Sequence, residues 1–163
     1  MVLKKVFFLV FTTVFSVFTG FFSPVFAQTG QRLLDLLEIQ ELSWASAASL
    51  VLEASDHGTF SDSDAFSYAM EKGWLPRRSQ PEENAQLGGI ALLLMQSFDI
   101  KGGVMYSMFR NQRYAYRELV YRNIIIGRTW PSMTVSGDTL IFMTGRFLAI
   151  REAEEAIQPG EDR

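Results

Sequence analysis

Two segments of the chain are apolar on nearly every side of a helix. Residues 44–54 read Trp-Ala-Ser-Ala-Ala-Ser-Leu-Val-Leu-Glu-Ala, and residues 89–98 read Gly-Ile-Ala-Leu-Leu-Leu-Met-Gln-Ser-Phe. A helix without a polar face is stable in water only when other elements cover it all round. The sequence therefore predicts two short helices that lie buried at the centre of a helical domain.

Capping and stop signals divide much of the remaining chain into further helices. Gly73 and Asn123 are residues that readily take the left-handed conformation in which many helices end. Residues 104–109 fit either a short helix or an extended segment, and the β-branched triplet 124–126 favours extended backbone. No segment sustains the polar–apolar alternation of a strand, so the predicted fold class is all-α. The helices predicted besides the two apolar ones cover residues 33–42, 65–72, 113–122 and 139–153.

The first 27 residues have the three-part layout of a secretory signal peptide. Two lysines near the start precede residues 6–22, which hold no ionisable side chain, and Ala27 supplies the small side chain for cleavage before Gln28. The alternative is an uncleaved anchor in the inner membrane, since 17 apolar residues approach the length that spans a bilayer. The sequence thus predicts an exported protein, periplasmic or extracellular.

The rest of the chain is predicted to form one domain with polar extensions. A leader with a short helix covers residues 28–41, the domain covers 42–153, and an acidic, disordered tail covers 154–163. The chain has no cysteine, which excludes a disulfide-stabilised fold, a thiol enzyme and a Cys-based zinc site. Packing alone must then stabilise the domain.

A shift of the sequence by 50 residues aligns two similar units. Ala65 falls on Ala115, Pro81 on Pro131, and Ile100 on Ile150. In both units a short helix, an apolar triplet, a proline-containing loop and an apolar helix follow in the same order. We therefore expect a bundle of two units, residues 65–100 and 115–150, that stack because neither can bury its long helix alone.

Three stretches of the first half resemble the S-layer homology domain. They are Leu42-Ser43-Trp44-Ala45-Ser46-Ala47-Ala48, Thr59-Phe60-Ser61-Asp62, and Glu71-Lys72-Gly73-Trp74-Leu75. The resemblance covers roughly residues 42–98, and more faintly 115–150. It implies a bundle of helical repeats that attaches exported proteins to anionic wall polysaccharide.

The chain departs from this family at the starts of the helices. The family usually has Thr-Arg-Ala-Glu there, and its arginine is central to the ligand site. The corresponding positions here read Ser43-Trp44-Ala45-Ser46, Leu87-Gly88-Gly89-Ile90 and Ser136-Gly137-Asp138-Thr139. The resemblance therefore implies the fold more than the ligand.

No complete catalytic or metal-binding signature is present. His57 is the only imidazole, so it has no second histidine with which to form a typical metal site, and a position at the end of a helix explains it. Asp62 and Asp64 alternate as in a calcium loop, but the glycine and the final glutamate of such a loop are missing, and N-capping of the next helix explains both residues more simply. The sequence predicts no catalytic residue, no metal ligand and no cofactor.

The most distinctive surface candidate is an arginine- and tyrosine-rich stretch over residues 110–122. It has four arginines against the single acidic Glu118, in a chain of net charge −3. Guanidinium groups bind phosphate and carboxylate, and tyrosine rings can lie against sugars. The residues predicted to bind a ligand or partner are Arg110, Arg113, Tyr114, Arg117, Tyr121 and Arg122.

A plain structural role is the alternative for this stretch. It would be a solvated amphipathic helix in which Arg117 or Arg122 pairs with Glu118. Whether this helix binds a partner or is only solvated, the side predicted to face the core is formed by Tyr116, Leu119, Val120 and Asn123. The three tryptophans, Trp44, Trp74 and Trp130, are likewise predicted to lie in the core.

These observations predict a non-enzymatic protein of the cell envelope, a helical-repeat module that binds wall polysaccharide or an envelope protein. A scaffold for protein–protein contacts without polymer binding is one alternative, and a periplasmic hydrolase is another. Export makes nucleic acid an unsuitable partner, and after cleavage of the signal no membrane span is expected. The sequence leaves the oligomeric state open.

Overall fold

The computed structural model describes residues 34–157, and in this range the chain is all-α, as predicted. No β-strand occurs among these residues, only two isolated bridges. Residues 36–163 group as one compact unit and residues 1–35 as another, of which only Leu34 and Asp35 are described. The helices are α1 (34–38), α2 (Trp44–Ala54), α3 (Asp62–Glu71), α4 (Leu87–Ser97), α5 (Val104–Phe109), α6 (Gln112–Tyr121) and α7 (Gly137–Ile157).

Several sequence predictions fall outside the described residues. These are the signal peptide, its cleavage between Ala27 and Gln28, the start of the leader, and residues 158–163. The short helix predicted over 33–42 is present over 34–38. Helix α7 continues to Ile157, four residues into the segment assigned to the tail. None of the helices within 34–157 combines the length and the apolar character that crossing a bilayer requires.

Polar side chains and left-handed residues set the helix boundaries, as local sequence predicts. The side chain of Ser61 accepts a hydrogen bond from the backbone N–H of Asp64 at 3.3 Å, so α3 starts three residues earlier than predicted. Gly73 has φ 71° and Asn123 has φ 56°, which confirms both predicted stops. The ambiguous segment 104–109 is helical, and the triplet 124–126 is in turns rather than a strand.

Helices α2 and α4 form the core, as predicted from their composition. Every residue of α4 except Gln96 is buried, and α2 buries seven of its eleven residues. Helix α4 packs against α6, while α2 packs against α3, α4 and α7. The buried apolar side chains include the fully enclosed Leu52, Ile90, Leu93, Leu94 and Leu140.

Three backbone segments that lead into α2, α4 and α7 meet and bond in a cycle, which we call the three-way junction (Leu42, Ala85 and Val135). The Leu42 N–H donates to the Val135 carbonyl (2.8 Å), Ala85 to Leu42 (2.7 Å), and Val135 to Ala85 (3.0 Å). All three residues are buried. Because each segment satisfies the backbone of another, the junction fixes where the three helices start relative to one another.

Corresponding helices in the two halves of the domain begin 50 residues apart in the sequence. Helices α3 and α6 begin at residues 62 and 112 and end at 71 and 121, and α4 and α7 begin at 87 and 137. The lengths of the second pair differ, since α4 has 11 residues and α7 has 21. The repeat of units 65–100 and 115–150 stays a prediction.

Three residues predicted to face the core do not. Trp130 is 54% exposed, Val120 is 41% exposed, and Asn123 is exposed as well. On α6 the buried positions are Ala115 and Leu119, four residues apart, and Val120 lies one residue round the helix from that stripe. Trp44 is buried and Trp74 packs partly buried against the core, as predicted.

Candidate binding surface

Helix α6 carries most of the predicted surface residues, and an N-terminal cap and its packing on α4 hold it in place. The Asn111 side chain caps the helix by accepting from the N–H groups of Arg113 and Tyr114, both at 3.1 Å. Ala115 and Leu119 are buried, and α6 packs on α4. The polar side of α6 therefore faces away from the core.

Three of the predicted residues form an exposed stripe along α6, which we call the Arg/Tyr stripe (Arg113, Arg117 and Tyr121). They are spaced four residues apart and so lie on successive turns of one side. Both arginines are exposed, and Tyr121 is 84% exposed. Within residues 34–157 neither guanidinium makes a hydrogen bond or an ion pair, so both can receive an anionic group.

Arg122 lies apart from this stripe in a structural contact. Its Nε donates to Glu118 Oε1 at 3.0 Å, and its Nη2 donates to the Lys101 carbonyl at 2.9 Å. The other carboxylate oxygen of Glu118 accepts from the Gly103 N–H at 3.1 Å. Arg122 and Glu118 thus join α6 to the segment before α5, as the structural alternative anticipated for one arginine.

Tyr114 and Arg110 face different cavities. Tyr114 is half-buried, stacks on Phe109 with ring centroids 5.4 Å apart, and lines a cavity of about 280 Å³ together with Arg117 and Glu118. Arg110, with a left-handed φ of 35°, lines a separate cavity of about 490 Å³ beside Arg77. The structure therefore groups Tyr114 with the Arg/Tyr stripe and places Arg110 elsewhere.

The residues that the sequence analysis considered as possible catalytic groups or metal ligands make structural contacts. Asp62 accepts hydrogen bonds from Ser46 Oγ and Ser49 Oγ, each at 2.7 Å, and so joins α3 to α2. His57 Nε2 lies 2.8 Å from the Ser97 carbonyl and therefore donates to it, while its ring packs 5.1 Å from that of Trp74. Among the described residues no group of three or more acidic, histidine or cysteine side chains is placed to hold a metal ion.

Sequence reasoning did not single out two apolar surfaces. One is a groove of about 510 Å³ where Leu37, Ile126 and Phe142, each about half exposed, face solvent. The other is the outward side of α5. The spacing of the apolar residues in α5, flanked by Lys101 and Arg110, was the signal that could have indicated it.

Tyr106 of α5 gives a pH-dependent contribution to stability. Burial raises the pKa of Tyr106 above its ordinary value of 10.0, although the hydrogen bond from Gln96 opposes part of that rise. The folded chain then keeps this proton at a pH where the unfolded chain releases it. The contribution is complete below pH 10 and decreases as the pH rises beyond it.

We therefore expect the urea midpoint to be lower at about pH 11 than at about pH 9, and the difference to be smaller in Tyr106→Phe, which has no phenol to titrate. Equal falls in both proteins would contradict this assignment. The other tyrosines are common to both proteins and cancel in the comparison.

Comparisons with known proteins add no relative to this description. Neither the protein-family models, nor the curated proteins, nor the solved structures contain a match to this chain. The resemblance of residues 42–98 to the S-layer homology domain accordingly stays a prediction.

Proposed function

We propose that the protein is an exported, non-enzymatic binding module of the cell envelope, whose Arg/Tyr stripe binds an anionic wall polysaccharide. The observation that carries the proposal is the pair of exposed arginines, Arg113 and Arg117, one turn apart and followed by the exposed Tyr121. Two guanidinium groups can each donate paired hydrogen bonds to an acidic group of a polysaccharide, and the nearby tyrosine ring can pack against a sugar.

The charges around the stripe support this proposal. Residues 100–117 contain Lys101, Arg110, Arg113 and Arg117 and no acidic residue, in a chain whose net charge is −3. Glu118, the nearest carboxylate in the sequence, is engaged by Arg122 and by the Gly103 N–H. The stripe therefore keeps its positive charge although the chain as a whole is acidic.

The length of the stripe also suits a polymer. Eight residues of α-helix separate Arg113 from Tyr121, a rise of about 12 Å. A polymer that repeats the same anionic group can occupy both arginines and rebind before it diffuses away, which raises the apparent affinity of weak single contacts. An envelope protein with an acidic segment is the alternative partner, and the experiment below separates the two.

The test is co-sedimentation of the purified protein with protein-free wall material. We expect Arg113→Ala/Arg117→Ala to weaken binding about tenfold or more per arginine, because each loses a charged hydrogen bond of about 1.5–3 kcal/mol. Salt should weaken the binding of the unchanged protein as well, since the Debye length falls from about 10 Å at 0.1 M to about 3 Å at 1 M.

The matched control is Arg77→Ala/Arg78→Ala, which removes the same charge from an exposed loop. It should bind nearly as well as the unchanged protein. Equal loss in both double variants would mean that net charge, not the stripe, drives binding. If none of the proteins sediments with protein-free walls but all do with walls that keep their proteins, the partner is a protein.

A further inference from the structure

Helix α5 turns its apolar side chains outward, the reverse of an ordinary surface helix. Val104 is 78% exposed and Met108 is 68% exposed, and Met105 and Phe109 are each about half exposed. Among its six residues only Tyr106 is buried. Such a contiguous exposed apolar patch marks a site of interaction.

Contacts behind α5 hold this apolar face in place. The Tyr106 hydroxyl accepts a hydrogen bond from Gln96 Nε2 of α4 at 2.6 Å. The ring of Tyr106 lies so close to Gly102 that a Cβ there would be 2.5 Å from it. The Phe109 ring stacks on Tyr114 of α6. The fold therefore presents these side chains to solvent before any partner arrives.

Basic residues bracket the apolar face at both ends. Lys101 precedes α5 and Arg110 ends it, and both are exposed. No acidic residue occurs between Asp99 and Glu118. Apolar side chains flanked by cations are typical of segments that bind the interface of a membrane rich in anionic lipid.

We propose that α5 docks the protein on an anionic lipid bilayer, with Val104, Met105, Met108 and Phe109 entering the interface and Lys101 and Arg110 contacting the headgroups. This contact lies on the surface of the membrane and needs no spanning helix. This surface adjoins the Arg/Tyr stripe, because Val104 and Met105 line the same cavity as Tyr114 and Arg117. The proposal nevertheless concerns a different ligand from the polysaccharide, and either can fail without the other.

Two features favour a bilayer over a second copy of the chain. Helix α5 is about 9 Å long, much too small to supply the roughly 800 Å² per partner of a standard protein interface. Two copies that met face to face through α5 would also bring Lys101 and Arg110 of each close to those of the other. The repulsion of these like charges would oppose the contact.

The test uses a polarity-sensitive fluorophore attached to single cysteines, which is site-specific because the chain has none of its own. Val104→Cys and Met108→Cys report from α5, and Ser67→Cys, exposed on α3, is the control. The purified protein is mixed with vesicles of phosphatidylglycerol or of phosphatidylcholine. A local probe reports contact at α5 whatever other part of the chain meets the membrane.

We expect a blue shift at residues 104 and 108 with phosphatidylglycerol, little shift with phosphatidylcholine, and none at residue 67. No shift at the α5 positions with either lipid would overturn the proposal. An equal shift at residue 67 would overturn it too, because it would indicate unfolding on the lipid. A blue shift that grows with protein concentration in the absence of vesicles would mean that a second copy covers α5.

A pair of variants then measures the apolar contribution. Met108→Ser should weaken binding to phosphatidylglycerol vesicles about tenfold, and Met133→Ser, which changes an exposed methionine outside α5, should not. Met108 does not line the cavity that holds Arg117, so the α5 variant should still sediment with wall material as the unchanged protein does. Undiminished vesicle binding by the α5 variant would refute insertion of Met108.

Discussion

The substitution Gly137→Ala, which adds a single methyl group, is expected to lower the free energy of unfolding by about 3 kcal/mol. This is the upper end of the usual cost of overpacking. A Cβ on Gly137 would lie 1.8 Å from the carbonyl oxygen of Leu36 and 2.7 Å from its carbonyl carbon. Both are backbone atoms, which cannot turn aside as a flexible side chain can. The Gly137 N–H also donates to the Ile39 carbonyl at 2.9 Å, so a shift of the backbone to relieve the clash would strain that bond.

Gly145→Ala in the same helix is the matched control, and its effect should have the opposite sign. Nothing lies within 4 Å of the position that its Cβ would occupy. Alanine is favoured over glycine inside a helix by roughly 0.5–1 kcal/mol, so this variant should be more stable than the unchanged protein. Urea unfolding followed by circular dichroism measures both. A Gly137→Ala protein as stable as the Gly145→Ala protein would contradict the close approach of α7 to Leu36.

The second large effect is expected at the centre of the core. Ile90 of α4 is fully buried, and Ile90→Ala should cost about 2–5 kcal/mol, because it removes buried methyl groups and leaves a cavity. A loss of this size is a substantial part of the total stability of a small domain. The same unfolding experiment, read as a shift of the midpoint at unchanged slope, measures it.

The control for this variant makes the same substitution on the surface. Ile126 is 56% exposed, and Ile126→Ala should change the stability by less than about 1 kcal/mol. If the two variants were equally destabilised, α4 would not be the centre of the core. If neither were destabilised, the burial of α4 would itself be wrong.

The fold class and most helix ends follow from sequence because their causes are local. The absence of a polar face on residues 44–54 and 89–98 requires burial whatever surrounds them, and both helices are buried. A cap such as Ser61 acts on an N–H three residues away. Gly73 and Asn123 end helices through their own backbone angles. None of these signals depends on distant parts of the chain.

The three-way junction could not be predicted because its bonds join main-chain atoms far apart in sequence. Leu42 and Ala85 are 43 residues apart, and Ala85 and Val135 are 50 apart. Any residue except proline supplies the same N–H and carbonyl groups. The side chains at these positions therefore carry no signal for which segment bonds to which.

The candidate surface was predicted in part, and the errors have a physical origin. Arg113, Arg117 and Tyr121 lie on one exposed side, as helical spacing requires. The spacing does not determine which apolar neighbour meets the core, so Val120 was placed wrongly. The outward apolar side of α5 depends on Tyr106 occupying the inward position beside Gln96, a contact between two helices that the sequence does not indicate.

The three-way junction also has a consequence for the speed of folding. Its three bonds join residues that are 43, 50 and 93 positions apart in the sequence. Each bond must close a long loop of chain, and the entropy of closing such loops slows the formation of non-local contacts. We therefore expect the junction to form late in the folding reaction, after the local contacts within the helices.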